Sequence, residues 1–140
     1  MSAEPFVIER IYNAPIGKVW EAITNVAKMR EWYFNIAHFK PEVGFEFEFT
    51  GGDDIKQYRH LCRVTQVVDG SKIAYTWTYD EYGGDSEVTW ELFTEGEGTR
   101  LKLTHTGLET FPELPSFKRE NFVGGWTHIT GVSLKEYLEK

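Results

Sequence analysis

The hydrophobic period of this chain changes twice, and that change limits the folds open to it. Between residues 15 and 32 apolar side chains recur at helical spacing; from 45 to 105 they alternate; beyond 116 they are helical again. Phe45-Glu46-Phe47-Glu48-Phe49 sets three rings on one face of a strand and two carboxylates on the other. Ile73, Tyr75, Trp77 and Tyr79 alternate in the same way, as do Val88, Trp90 and Leu92, and then Leu101, Leu103 and His105. Turn signals separate these runs: Gly51-Gly52-Asp53-Asp54, Asp69-Gly70, Gly83-Gly84 and Gly96-Glu97-Gly98. On the outer face Glu91 and Lys102 are expected across from one another.

The flanking segments complete the outline. Residues 6–12 read as an opening strand. Pro15 suits a helix start, with Ile16, Val19, Trp20 and Ile23 on one face, and Thr24-Asn25 ends that helix and caps a second one reaching about Trp32. After Ser116, a plausible N-cap, Phe122, Val123, Trp126, Ile129, Thr130, Leu134, Tyr137 and Leu138 share one arc of a long helix. The expected fold class is α+β: a curved six-stranded antiparallel sheet around one C-terminal helix, with two short helices after the first strand. A sheet curving around a helix closes poorly at its ends, so a cavity between the two is expected. No linker divides the chain, and 1–140 reads as one domain.

Composition narrows the function. Aromatic residues make up 16% of the 140, with five Trp, seven Tyr and ten Phe, more ring surface than a minimal core needs. The net charge of −7 and the lack of a basic run make nucleic acid and anionic membrane poor partners. Cys62 is the only cysteine, so neither a disulfide nor a thiolate metal cage is expected. No secretion signal or membrane span is read, which gives a cytoplasmic expectation.

Several stretches together carry a resemblance: Asn13-Ala14-Pro15 with Val19-Trp20, Met29-Arg30-Glu31-Trp32, Ala74-Tyr75-Thr76-Trp77, and Val88-Thr89-Trp90-Glu91-Leu92. Gly98-Thr99-Arg100-Leu101, Thr104-His105-Thr106-Gly107-Leu108, Gly125-Trp126 and Leu134-Lys135-Glu136-Tyr137-Leu138 extend it in the same order. The chain resembles the START-like (SRPBCC) superfamily with its helix-grip, Bet v-like fold. Within it the chain looks most like the C-terminal-type domain of activators of heat-shock protein 90 ATPase. The resemblance implies a hydrophobic small molecule as ligand, no cofactor, and a chaperone as a second partner in stress response; a few branches are cyclase- or dehydratase-type enzymes. The spacing from Trp126 to Leu134 is about one residue longer than the family pattern. No part of the 140 residues matches the activator's separate N-terminal domain, which places chaperone stimulation below ligand binding.

The candidate ligand site is the inner face: Phe45, Phe47, Tyr58, Tyr75, Trp77, Tyr79 and Trp90, with Trp126 and Thr130 opposite on the helix. Core packing alone would explain any single ring; the concentration of Tyr and Trp on one face suits a partly wet cavity. Trp32, Phe34, Phe39, Leu108, Phe111 and Phe117 lie in connecting segments as a mouth or lid. His105 points inward, where it would anchor a ligand or be satisfied by a neighbour. His60 and Cys62 share a face but lie too far apart on a strand for a nucleophile pair, and His60 is expected instead, with Tyr58, as a polar group lining the ligand cavity. No catalytic group and no metal site is assigned, and Asp53-Asp54 lacks the spaced oxygens of a calcium loop.

Overall fold

The computed structural model describes residues 4–52, 57–114 and 117–139. In chain order the elements are β1 (Phe6–Tyr12), α1 (Ile16–Thr24), α2 (Val26–Trp32), β2 (Glu46–Gly52), β3 (Gln57–Val68), β4 (Lys72–Tyr79), β5 (Ser86–Glu95) and β6 (Gly98–Thr106). A short 3-10 turn, Leu108–Thr110, leads to a helix over 119–139 built from α3 (Arg119–His128), a π segment (Ile129–Ser133) and α4 (Leu134–Glu139). The expected Asp53-Asp54 turn and the Ser116 cap lie outside the described residues. The helix begins at Arg119, with Lys118 as an N-cap that makes no side-chain cap bond.

The strands form one antiparallel sheet in the order β1-β6-β5-β4-β3-β2. A two-residue alternation becomes a curved sheet because the inward side chains are large and the outward ones small or charged. Ile73, Tyr75, Trp77, Val88, Trp90, Leu101 and Leu103 are all buried on the concave face. The register slips between Val64 and Gln66 of β3, a bulge that bends the strand. Asn25 acts as expected: its side chain accepts from the N–H groups of Ala27 and Lys28 and starts α2. α1 packs on α2 and on β5 and β6, and both short helices pack against the C-terminal end of the long helix.

The long helix repays a count. Phe122, Trp126, Thr130, Leu134 and Leu138 are its buried residues, each four positions after the last. In a regular α-helix Trp126 and Leu134 would point about 80° apart. The wider π turn at Ile129–Ser133 absorbs that rotation and brings both onto the sheet. The turn leaves the Thr130 carbonyl without its ordinary helical donor, and Tyr12 Oη donates to it at 2.6 Å. Gly131 keeps the space above it open for the Arg10 guanidinium: a Cβ there would sit 3.0 Å from Nη2.

Candidate functional site

The site builds outward from the middle of the sheet. His105 on β6 is fully buried and bridges three elements: Nδ1 accepts from Trp126 Nε1 at 3.0 Å, and Nε2 lies 2.9 Å from Ser86 Oγ on β5. Ser86 Oγ in turn donates to the Trp77 carbonyl on β4. An indole N–H can only donate, so Nδ1 is unprotonated and Nε2 carries the hydrogen. His105 is thus neutral and already donating to Ser86, which leaves it no lone pair with which to activate that hydroxyl. Burial away from any charge pushes its pKa down to about 3.

A second layer lies toward α2. Trp90 Nε1 donates to Tyr75 Oη at 3.0 Å, and Tyr75 and Tyr33 share a hydroxyl hydrogen bond of 2.9 Å. Trp32 borders a shallow groove of about 310 Å³ with Glu31, Ser133, Glu136 and Tyr137. It ends α2, is buried, donates Nε1–H to the Ala22 carbonyl at 2.8 Å and packs edge-on against Trp90. Its hydrophobic surface belongs to the floor of the core because α1 and α2 close that end. Phe34 and Phe39 likewise turn inward, Phe34 stacking on Phe49 and Phe39 lying edge-on to Phe47 and Phe45.

His60 sits in a third layer, stacked on Phe49 at 4.5 Å and edge-on to Trp77 at 4.8 Å. Its Nδ1 lies 3.0 Å from the Tyr58 carbonyl, and burial lowers its pKa to about 4. Cys62 is buried beside Tyr75 and Tyr33, where desolvation raises its thiol far above the ordinary range. The pair forms no nucleophile–base contact. Thr130 closes on its own helix, donating to the Trp126 carbonyl at 2.7 Å, and also receives Arg10 Nε at 3.4 Å.

The rings of sheet and helix meet directly. Trp126 lies 5.2 Å from Trp77 and 5.8 Å from Trp90, centroid to centroid. Among the described residues no buried side-chain nitrogen or oxygen lacks a partner. The polar tips of His105, Tyr75, His60 and Thr130, which the sequence offered as ligand contacts, thus already have partners in side chains or backbone carbonyls of the protein. At the N-terminal end of the long helix the packing opens. Tyr58, Tyr79, Tyr82, Phe111 and Phe117 form a ring cluster, with Phe117 4.8 Å from Tyr79 and 5.2 Å from Tyr58. Outside it lies a groove of about 420 Å³ lined by Leu108, Phe111, Pro112, Leu114 and Phe117, with Glu109, Glu113, Lys118 and Arg119 at its rim.

Sequence reasoning missed Ser86, Tyr33 and Tyr12. Ser86 has the same strand parity as Val88 and Trp90, so extending that alternation by one step finds it. Tyr33 lies in irregular chain that no period marks.

A curved antiparallel sheet gripping a long helix through a layer of rings defines the helix-grip, START-like class. Within that class the chain belongs to the family described as Activator of Hsp90 ATPase homolog 1-like protein, which matches residues 13–139. No curated protein matches the chain. Among solved structures, DynU16 of the dynemicin biosynthetic locus superposes with a TM-score of 0.82 at 22% identity over 99% of this chain. The match spans about half of DynU16, 48% of its length. CV1439 from Chromobacterium violaceum gives 0.81 at 21% identity, and MLL2253 from Mesorhizobium loti 0.76 at 26%, each over 97% of both chains. Among the described residues no helix is long and apolar enough to cross a membrane.

Proposed function

We propose that this chain, as one START-like domain over 1–140, binds a small, largely apolar molecule through the groove at the N-terminal end of its long helix. The observation that carries this reading is the groove itself: about 420 Å³, five apolar side chains, and a floor of two rings continuous with the interior. That volume falls within the range of small-molecule sites. The deeper rings of Trp77 and Trp90 already pack against Trp126, so a guest displaces least by entering between Phe111 and Phe117 and pressing on Tyr79 and Tyr58. The description of DynU16, which shares the fold, as a protein of the dynemicin biosynthetic locus is in keeping with this reading.

Titration with 1-anilinonaphthalene-8-sulfonate, followed by its fluorescence and by amide shifts, tests this. Saturable binding with shifts centred on Leu108, Phe111, Leu114 and Phe117, lost in Leu114→Glu, is the expected result. Leu114 is 41% exposed, so this change leaves the fold intact. Absence of saturation with that dye and with alkyl and planar lipophiles overturns the reading.

A second reading is a protein-interaction module of the kind the family description suggests. Its support is the saturated interior together with Val7, Ile11 and Phe93 exposed on the outer sheet. The ATPase rate of the chaperone with and without this chain decides it. The enzyme reading has the least support, since His105 and His60 are neutral and closed in by rings.

A further inference from the structure

We propose that the outer face of the sheet is an interface with a second copy of this chain. The strand register places Glu9, Lys102, Glu91 and Lys72 side by side across β1, β6, β5 and β4. The row thus alternates in sign at every strand, over a span of roughly 15 Å. Neighbours this close ordinarily pair, yet Lys102, Glu91 and Lys72 make no ion pair among the described residues. Glu9 instead bonds to Arg100 Nη1 at 2.7 Å, one row away. Three half-buried charges in alternating order therefore remain available to a facing surface.

The order is self-complementary. A row reading minus, plus, minus, plus from β1 to β4 reads plus, minus, plus, minus when turned end for end. A two-fold axis parallel to the strands and passing between β5 and β6 sets Lys102 over Glu91 of the second copy and Glu9 over its Lys72. Such an arrangement is isologous, each contact occurring twice. The same axis sets Arg100 against Phe93 of the second copy. Arg100 already lies over its own Phe93 ring, 4.4 Å from the centroid, so the surface is built for that contact.

Apolar area accompanies the charges. Ile11 and Phe93 flank Arg100 in the adjacent row and are 61% and 37% exposed, and Val7, two positions beyond Glu9, is 45% exposed. These side chains stand on a sheet face where, among the described residues, they remain exposed. Because the face is convex, contact is confined to its central strands, and the area fits a weak dimer rather than an obligate one.

Sedimentation equilibrium of the full chain from about 10 µM to about 1 mM reads this out directly. A concentration-dependent dimer is expected. Lys102→Glu sets like charges against each other and weakens it about tenfold or more, and adding Glu91→Lys in the same chain restores it. Ile11→Ser, at a solvent-facing position, weakens it without touching the charge row. Far-UV circular dichroism confirms that each variant folds. A monomer throughout, whether the face stays solvated or meets another protein, overturns the proposal; so does a dimer indifferent to both Lys102→Glu and Ile11→Ser.

Discussion

The Trp126 indole and the His105 imidazole are joined by one hydrogen bond, Nε1 to Nδ1 at 3.0 Å, and that bond fixes the charge state of the histidine. A proton added to Nδ1 would face the indole hydrogen donor to donor, with Trp77, Phe122 and Trp126 rings around it and no carboxylate in contact. The long helix is therefore held to the sheet by a contact that exists only while His105 is neutral.

Acid should weaken the fold through this residue and His60. Their folded pKa values, about 3 and about 4, lie below the ordinary histidine value near 6.5. The unfolded chain thus binds two protons that the folded chain refuses, and stability rises with pH across this window. The contribution is complete above about pH 7 and is lost progressively as pH falls from about 6.5 toward 4 and 3. Between pH 7 and 5.5 the loss is about 2.5 kcal/mol for the two groups together. Urea unfolding at several pH values measures it. His60→Phe, which keeps a ring against Phe49, should remove about half of that slope, and an unchanged slope would exclude His60 as a source.

Most of the fold was legible because period is a backbone property: alternation from Phe45 to His105 marks strands, and the return to helical spacing marks the last helix. What was not legible depended on partners distant in sequence. Trp32 could be placed at the end of α2 from sequence, but its bond to the Ala22 carbonyl depends on α1 folding back against it. His105 could be aimed inward by parity, but its commitment to Trp126 and Ser86 requires three elements to converge. The cavity expectation rested on curvature alone, which says nothing of how closely Trp126 approaches Trp77 and Trp90. The π turn showed in the sequence only as two core positions, Trp126 and Leu134, eight residues apart.

Trp126 and Trp90 should differ in what their N–H groups contribute. Trp126→Phe keeps a ring but leaves His105 Nδ1 buried without a donor, at a cost of about 2–4 kcal/mol including the lost ring area. Trp90→Phe leaves Tyr75 Oη still bonded to Tyr33, so its cost should be smaller by about 1 kcal/mol. Denaturant midpoints of the two variants give the comparison, and equal losses would contradict the assigned hydrogen bonding.

The π segment makes an unusual deletion tolerable. Removing Val132, which is 41% exposed, shortens the Trp126–Leu134 spacing to that of two regular turns and lets an α-helix present both residues to the sheet. Removing exposed Gly124 instead rotates Phe122 by about 100° relative to Trp126 and takes it off the core. The Val132 deletion should fold and lose roughly 1–2 kcal/mol, chiefly the Tyr12 contact to the Thr130 carbonyl. The Gly124 deletion should lose clearly more. Thermal melts of both rank them, and the reverse order would mean the wide turn is not what aligns the helix.

Glycines of this chain divide by what a methyl group would meet. At Gly124 and Gly125 a Cβ finds open space, and both residues are exposed within α3. Each thus carries the backbone entropy cost of glycine in a helix, about 1 kcal/mol relative to alanine, without a packing reason for it. Gly124→Ala with Gly125→Ala should raise stability by about 1–2 kcal/mol. Gly107→Ala should do the opposite, because its φ is +82° and its Cβ would press on the Asp85 carbonyl. Melting temperatures that move in opposite directions for the two variants are the expected result. A drop for the Gly124/Gly125 pair would mean that α3 needs its looseness, for instance to let a ligand pass between Phe117 and Phe111.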